Sequence, residues 1–170
     1  EEIRPGLPDD PEAFYGPLNN ACHFARVAGK IASLPSSAKI RTGGTRVGDT
    51  GFFFAPTVIA DAPPSSRVMR IEPFGPIAVL QPFDRLDEAI ALANALDYGL
   101  GAYAFTRDLQ AAHTLSEAIE AGMVGINHYG VSQPELPFGG LKASGDGVEM
   151  GAEGILAYTD TKTVTVGRHG

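Results

Sequence analysis

Three short stretches carry side chains whose types and settings could do chemistry. In E-P-F-G-P (72–76) a carboxylate, Glu72, and an aromatic ring, Phe74, stand between prolines, just before an apolar run. Pro73 biases Glu72 toward extended backbone and Pro76 does the same for Gly75, so acid and ring are presented on a stiff frame. A carboxylate accepts a pair of hydroxyls such as those of a ribose, and a charged hydrogen bond contributes about 1.5–3 kcal/mol. A solvated acid in a proline turn fits the same residues. In P-F-G-G (137–140) two glycines let the backbone turn tightly while Pro137 holds Phe138 out from it; a loop anchored by one buried phenylalanine is the other reading. Cys22 and His23 suggest a thiolate–imidazole pair, but neighbours on a helix do not face each other. Cys22 therefore reads as a small hydrophobe packing a helix.

Other chemistry is excluded on pattern. His23, His113, His128 and His169 have no metal-ligand spacing and no second cysteine to help them, so no metal site is expected. G-D-G-V-E-M-G (145–151) has the glycines of a dinucleotide turn, yet it follows no strand in a βαβ unit and lacks the acid about 20 residues on. The formal charge of −7 argues against a nucleic-acid partner, which would need clustered Lys and Arg. No apolar run approaches the roughly 20 residues of a membrane span, and E-E-I-R-P-G-L-P-D-D lacks the regions of a signal peptide. With its single cysteine, the chain reads as cytoplasmic. At 170 residues and 44% apolar it is long enough for one domain with a real core.

The elements that must position these residues follow from periodicity. Residues 1–17 read as irregular. Ala21, Phe24, Ala28 and Ile31 recur at helical spacing and predict a helix over 19–33 packed through that face. Residues 38–42 and 51–59 read as strands, with Pro56 at an edge or bulge. Residues 77–83 read as a buried strand, followed by a helix over 84–96 capped by Asp84. The unit repeats as strand 101–106, helix 108–121 stopped by Gly122 in a left-handed conformation, and strand 123–127. Such alternation predicts an α/β fold with a parallel sheet and crossover helices. Residues 128–148 form a long loop after a strand's carboxyl end, where open α/β sheets place ligands. The tail 158–166, Y-T-D-T-K-T-V-T-V, has the β-branched content of an exposed strand whose partner lies elsewhere in the fold or in another subunit.

Taken together, Y-G-P-L-N-N-A-C-H-F-A-R-V-A-G-K-I (15–31), E-P-F-G-P-I-A-V-L-Q-P-F (72–83), G-M-V-G-I-N (122–127), L-P-F-G-G-L-K-A-S-G (136–145) and the Thr/Val tail resemble the aldehyde dehydrogenase superfamily, in its order and at its spacing. The resemblance implies the C-terminal part of the family's catalytic domain over 1–156 and an oligomerisation strand and tail over 157–170. It implies that Glu72 binds the nicotinamide-ribose hydroxyls of NAD or NADP and that Phe74 packs beside the nicotinamide. Val131, Ser132 and Phe138 would line the substrate tunnel, and Asn127 and Lys142 would be structural supports. Val148 departs from an arginine that many members carry there.

The same resemblance implies an absence. The family's nucleophilic cysteine, oxyanion asparagine, glutamate base and glycine-bearing cofactor domain lie N-terminal to the matched region. No catalytic residue is expected within this chain, and Cys22 matches a helix position downstream of the nucleophile. The expectation is a segment of an NAD(P)-dependent enzyme oxidising an aldehyde or semialdehyde, inactive alone and associating as a homo-oligomer through its tail. The alternative is a noncatalytic scaffold module derived from the same family.

Overall fold

The computed structural model describes residues 3–168, and the polypeptide divides into two compact units, one ending at Phe83 and one beginning at Asp84. In the first unit, helix α1 (Ala21–Ala32) opens where Asn20 accepts the His23 N–H at 2.9 Å, satisfying a donor the first turn leaves open. Its buried residues are Val27 and Lys30. The expected face is displaced: Ala21 is exposed, while Phe24, Ala28 and Ile31 are only half-buried. The reason is that α1 is contacted on adjoining sides. Phe24 meets the rings of Phe52 and Phe54 at 6.5 and 5.7 Å, Ile31 joins the core, and Val27 faces Gly75.

Strand β1 (Lys39–Thr42) pairs antiparallel with β2 (Thr57–Ala60), which pairs parallel with β3 (Ile77–Leu80). The central β2 therefore carries Ile59 into a core with Ala62 and with Val68 of the short helix α2 (Arg67–Arg70). The strand expected over 51–59 starts only after Pro56, which has no N–H to give a ladder. Residues before it turn, Arg46 donating to the Gly51 carbonyl at 2.5 Å. β3 is not wholly buried: Ile77 and Val79 face the core, and Ala78 and Leu80 are exposed. It stops at Leu80, where the Gln81 side chain leaves to donate to the Ala62 carbonyl.

The second unit begins with α3 (Leu86–Ala93). Asp84 is not its cap; Arg85 holds that position without a side-chain cap bond. Arg85 instead forks onto Asp87 at 2.9 and 2.6 Å, and the Asp84 N–H donates to Glu88. Strand β4 (Tyr98–Gly99) precedes β5 (Gly101–Ala104), which pairs parallel with β6 (Met123–Ile126) through crossover helix α4 (Leu109–Ala118), a βαβ unit as the alternation predicts. Asp108 caps α4 by accepting from Gln110. The helix ends where Ile119 turns extended, three residues before the predicted stop. Gly122 is not left-handed; its role is close approach, because a Cβ there would collide with the Gly139 carbonyl.

The 128–148 loop is more ordered than expected. It contains β7 (Phe138–Gly139), antiparallel to β9 (Val148–Glu149), and β8 (Leu141–Lys142), antiparallel to β4; a short helix α5 (Glu153–Leu156) follows. The chain thus has the α/β fold that the alternation predicts, built from small parallel and antiparallel sheets. The tail forms no strand among the described residues, and Tyr158, Val164 and Val166 are 91%, 70% and 90% exposed. Among the described residues no helix is long and apolar enough to cross a membrane, and no cluster of His, Cys, Asp and Glu could hold a metal.

Two measurements check this packing. Gly122→Ala, which pushes a methyl group into a carbonyl, is expected to lower stability by about 1–3 kcal/mol in denaturant unfolding, whereas Gly147→Ala, with open space around it, stays within about 0.5 kcal/mol. The Lys39 ammonium, 2.8 Å from Asp61, holds that carboxyl below its ordinary value of 3.8 by hydrogen bond and charge. Its contribution is present above that value and is lost as pH falls through the lowered one. Lys39→Gln should therefore flatten the acid limb of the stability–pH curve.

Candidate functional site

The E-P-F-G-P stretch is held at both ends by one face of α1. At its start, the Lys30 ammonium donates to the Ile71 carbonyl at 2.8 Å, closing the C-terminus of α2. At its end, Gly75 lies against Val27, where a Cβ would stand 3.1 Å from a methyl carbon. Val27 and Lys30 are three residues apart and so share a helix face. Between these anchors stand Glu72, exposed, and Phe74, 74% exposed with φ +49°. A left-handed phenylalanine costs about 1–3 kcal/mol and persists only where its surroundings fix it. Pro73 before it and the Gly75 carbonyl, which accepts from Ile77 at 2.7 Å, supply that restraint.

Glu72 and Phe74 line a groove of about 760 Å³ together with Cys22, His23, Arg26 and Arg67. Among the described residues, neither Arg26 nor Arg67 forms an ion pair. Burial lowers the Lys30 pKa below the ordinary lysine value, and the charges of Arg67 and Arg26 lower it further. The His23 Nε2 is buried without a hydrogen-bond partner. Cys22 is exposed, in contrast to the packed cysteine expected. An exposed carboxylate and ring on a fixed backbone, facing an open groove, have room for a hydroxylated ligand with a planar ring. Sequence reasoning named the carboxylate and ring but missed Lys30, Arg26 and Arg67. No hydropathy signal marks Lys30 as buried.

In the second unit, Phe138 is half-buried in β7 and borders a separate groove of about 700 Å³ with Gly139, Gly140, Val148, Met150 and Tyr158. Val131 and Ser132 do not line that groove. Val131 packs over Gly125 and Ser132 is exposed. The loop before them is tied by its own bonds, Gly130 N–H to His128 Nδ1 at 3.1 Å and Gln133 to the Gly130 carbonyl at 2.9 Å. The Tyr129 ring lies tilted against those of Tyr103 and Phe105, with centroids 5.4 and 5.0 Å away. Asn127, at φ +61°, bonds both the N–H and the carbonyl of Thr106. Lys142 donates to the Asn94 and Leu96 carbonyls at 3.0 and 3.1 Å. Both make the kind of backbone contacts that supports would make.

Comparison with known proteins places this geometry. The model of the aldehyde dehydrogenase family matches residues 1–164. The chain is 44% identical over 162 residues to 4-(hydroxymethyl)benzenesulfonate dehydrogenase TsaD1 of Comamonas testosteroni, covering 95% of this chain and 34% of that protein. It superposes with TM-score 0.91 and 34% identity on an aldehyde dehydrogenase variant from Bacillus cereus, covering 95% of this chain and 33% of the other. A betaine aldehyde dehydrogenase variant from Staphylococcus aureus, solved in complex with NAD+, matches with TM-score 0.86 and 33% identity over 92% of this chain and 33% of its own. The chain thus spans about a third of the length of these relatives. A match over nearly all of its sequence and fold establishes that the chain belongs to the aldehyde dehydrogenase family.

Proposed function

We propose that this chain is the C-terminal part of an NAD(P)-dependent aldehyde dehydrogenase that oxidises an aldehyde or semialdehyde to the carboxylic acid. Residues 1–156 belong to its catalytic domain and 157–170 form its oligomerisation tail. The observation that carries the reading is the pair Glu72 and Phe74, exposed on a backbone clasped at Ile71 and Gly75 by α1. The groove fits NAD or NADP: the carboxylate accepts the two hydroxyls of the nicotinamide ribose, and the Phe74 ring lies beside the nicotinamide. When bound, the cofactor accepts a hydride from the substrate. The task of this chain is to orient that acceptor. Val131, Ser132 and Phe138 shape the aldehyde's approach.

The chemical steps belong to groups outside residues 1–170. The single cysteine, Cys22, sits in the first turn of α1 within the proposed cofactor groove, and this reading assigns the nucleophile to a residue outside the chain, as the family resemblance implies. Surface apolarity supports a part of a larger protein: Leu109 is 86% exposed, Tyr129 73% and Leu156 67%. Tyr103, Phe105 and Tyr129, all exposed with the Tyr129 ring 5.4 and 5.0 Å from the other two, form a contiguous apolar patch of the kind that marks an interaction surface. The exposed Val164 and Val166 fit a tail that adds a strand to a second copy.

Two experiments test this function. The purified 170-residue chain, given aldehyde and NAD or NADP, is expected to form no NAD(P)H; robust turnover abolished by Glu72→Ala would overturn the reading. In the polypeptide that carries this segment, deletion of residues 157–170 is expected to convert the oligomer to smaller species in light scattering. An unchanged mass would remove the assembly role from the tail.

A further inference from the structure

Lys30 is costly where it stands. It is 6% exposed, its hydrogen-bond partner is one carbonyl and no carboxylate, and the charges of Arg26 on α1 and Arg67 on α2 oppose its own. A methionine or leucine would fill the same helix position without burying a charge, so packing alone does not account for the ammonium. What its charge gains is a single bond, to the Ile71 carbonyl at 2.8 Å, and the peptide that bears this carbonyl is the one that begins Glu72.

We propose that Lys30 is the positioning residue for Glu72: by holding the Ile71 carbonyl, it sets the direction in which the Glu72 carboxylate enters the groove. The inference rests on the reading of Glu72 as the ribose acceptor. From Ile71 onward the chain has little freedom. The Ile71 N–H donates back to Arg67 at 3.0 Å, Pro73 fixes its own φ, Phe74 is held left-handed, and Gly75 is pressed on Val27. Releasing the carbonyl at one end of so short a frame turns the carboxylate, while the Val27 anchor keeps the other end in place. Arg26 and Arg67 remain in the groove when Lys30 is changed, so most of its positive field survives and the geometric effect can be read separately.

The test is a double-mutant cycle on cofactor affinity in the full polypeptide that carries this segment, using NAD and NADP as probes in titration calorimetry. Glu72→Gln is expected to raise Kd about tenfold or more, as loss of a charged acceptor does. Lys30→Met is expected to raise it by a comparable factor. The double variant should be no weaker than Glu72→Gln by more than about twofold, because residues that act as one unit are not additive. Lys30→Gln, a shorter neutral donor, replaces Lys30→Met in the cycle if the latter does not fold. An unchanged Kd in the Lys30 variant, or effects that multiply in the double variant, would overturn the positioning role and leave the ribose reading standing. An unchanged Kd in Glu72→Gln would remove the ribose reading itself, and the proposal with it.

Discussion

The last carbonyls of a helix need partners, and in the first unit the carbonyl that matters is that of Ile71, met by the Lys30 ammonium. Much of the local geometry depends on this bond. Helix α2 has four residues, too few to hold itself, and ends two residues before the acid. The same face of α1 that supplies the ammonium also supplies Val27, against which Gly75 is pressed. Beyond Gly75 the Pro76 carbonyl accepts from Thr57 at 2.8 Å, and β3 then pairs with β2. One helix face therefore fixes the stretch between a short helix and a core strand, and that stretch is the one that presents Glu72 and Phe74.

Backbone satisfaction organises the second unit as well. Its strands β4, β7, β8 and β9 are two residues long and need outside ties. Asn94 provides one, donating to the Ala118 carbonyl at 2.8 Å and accepting from the Glu120 N–H at 2.9 Å, so the ends of α3 and α4 meet at one side chain. Lys142 reaches the Asn94 carbonyl from β8 and pairs with Glu120. Gly122 then lets the chain pass the Gly139 carbonyl without obstruction. The Phe138 loop is thereby seated by side-chain bonds to main-chain groups and by one close backbone approach.

The two aromatic motifs sit on different kinds of support. Glu72 and Phe74 stand on a stretch braced by a buried helix face, and Phe138 stands in a paired two-residue strand. Val131 and Ser132 lie in a loop held by short-range hydrogen bonds, by Val131 over Gly125 and by the Tyr129 ring against Tyr103 and Phe105. Loops of that kind vary more readily than the elements they connect. The proposed division of labour follows this difference: the residues proposed to hold the cofactor stand on a braced stretch, and those proposed to tune the aldehyde lie in a loop.

Several features were legible in the chain alone because their causes are local. The βαβ unit through α4 and the stiff presentation of Glu72 and Phe74 each follow from a few neighbouring residues. Sequence also carried the family, since its motifs are contiguous. Tertiary structure decided the rest. Periodicity marked the buried side of α1 through Ala28 and Ile31, but contact on several sides moved burial to Val27 and to a lysine that no hydropathy pattern places inside. Pattern likewise read Gly122 as a helix stop, whereas the helix had already ended and the glycine answers to a carbonyl 17 residues away in sequence, at Gly139. Propensity acts over a few residues; which backbone passes close to which, and which carbonyl lacks a partner, exists only once distant segments have met.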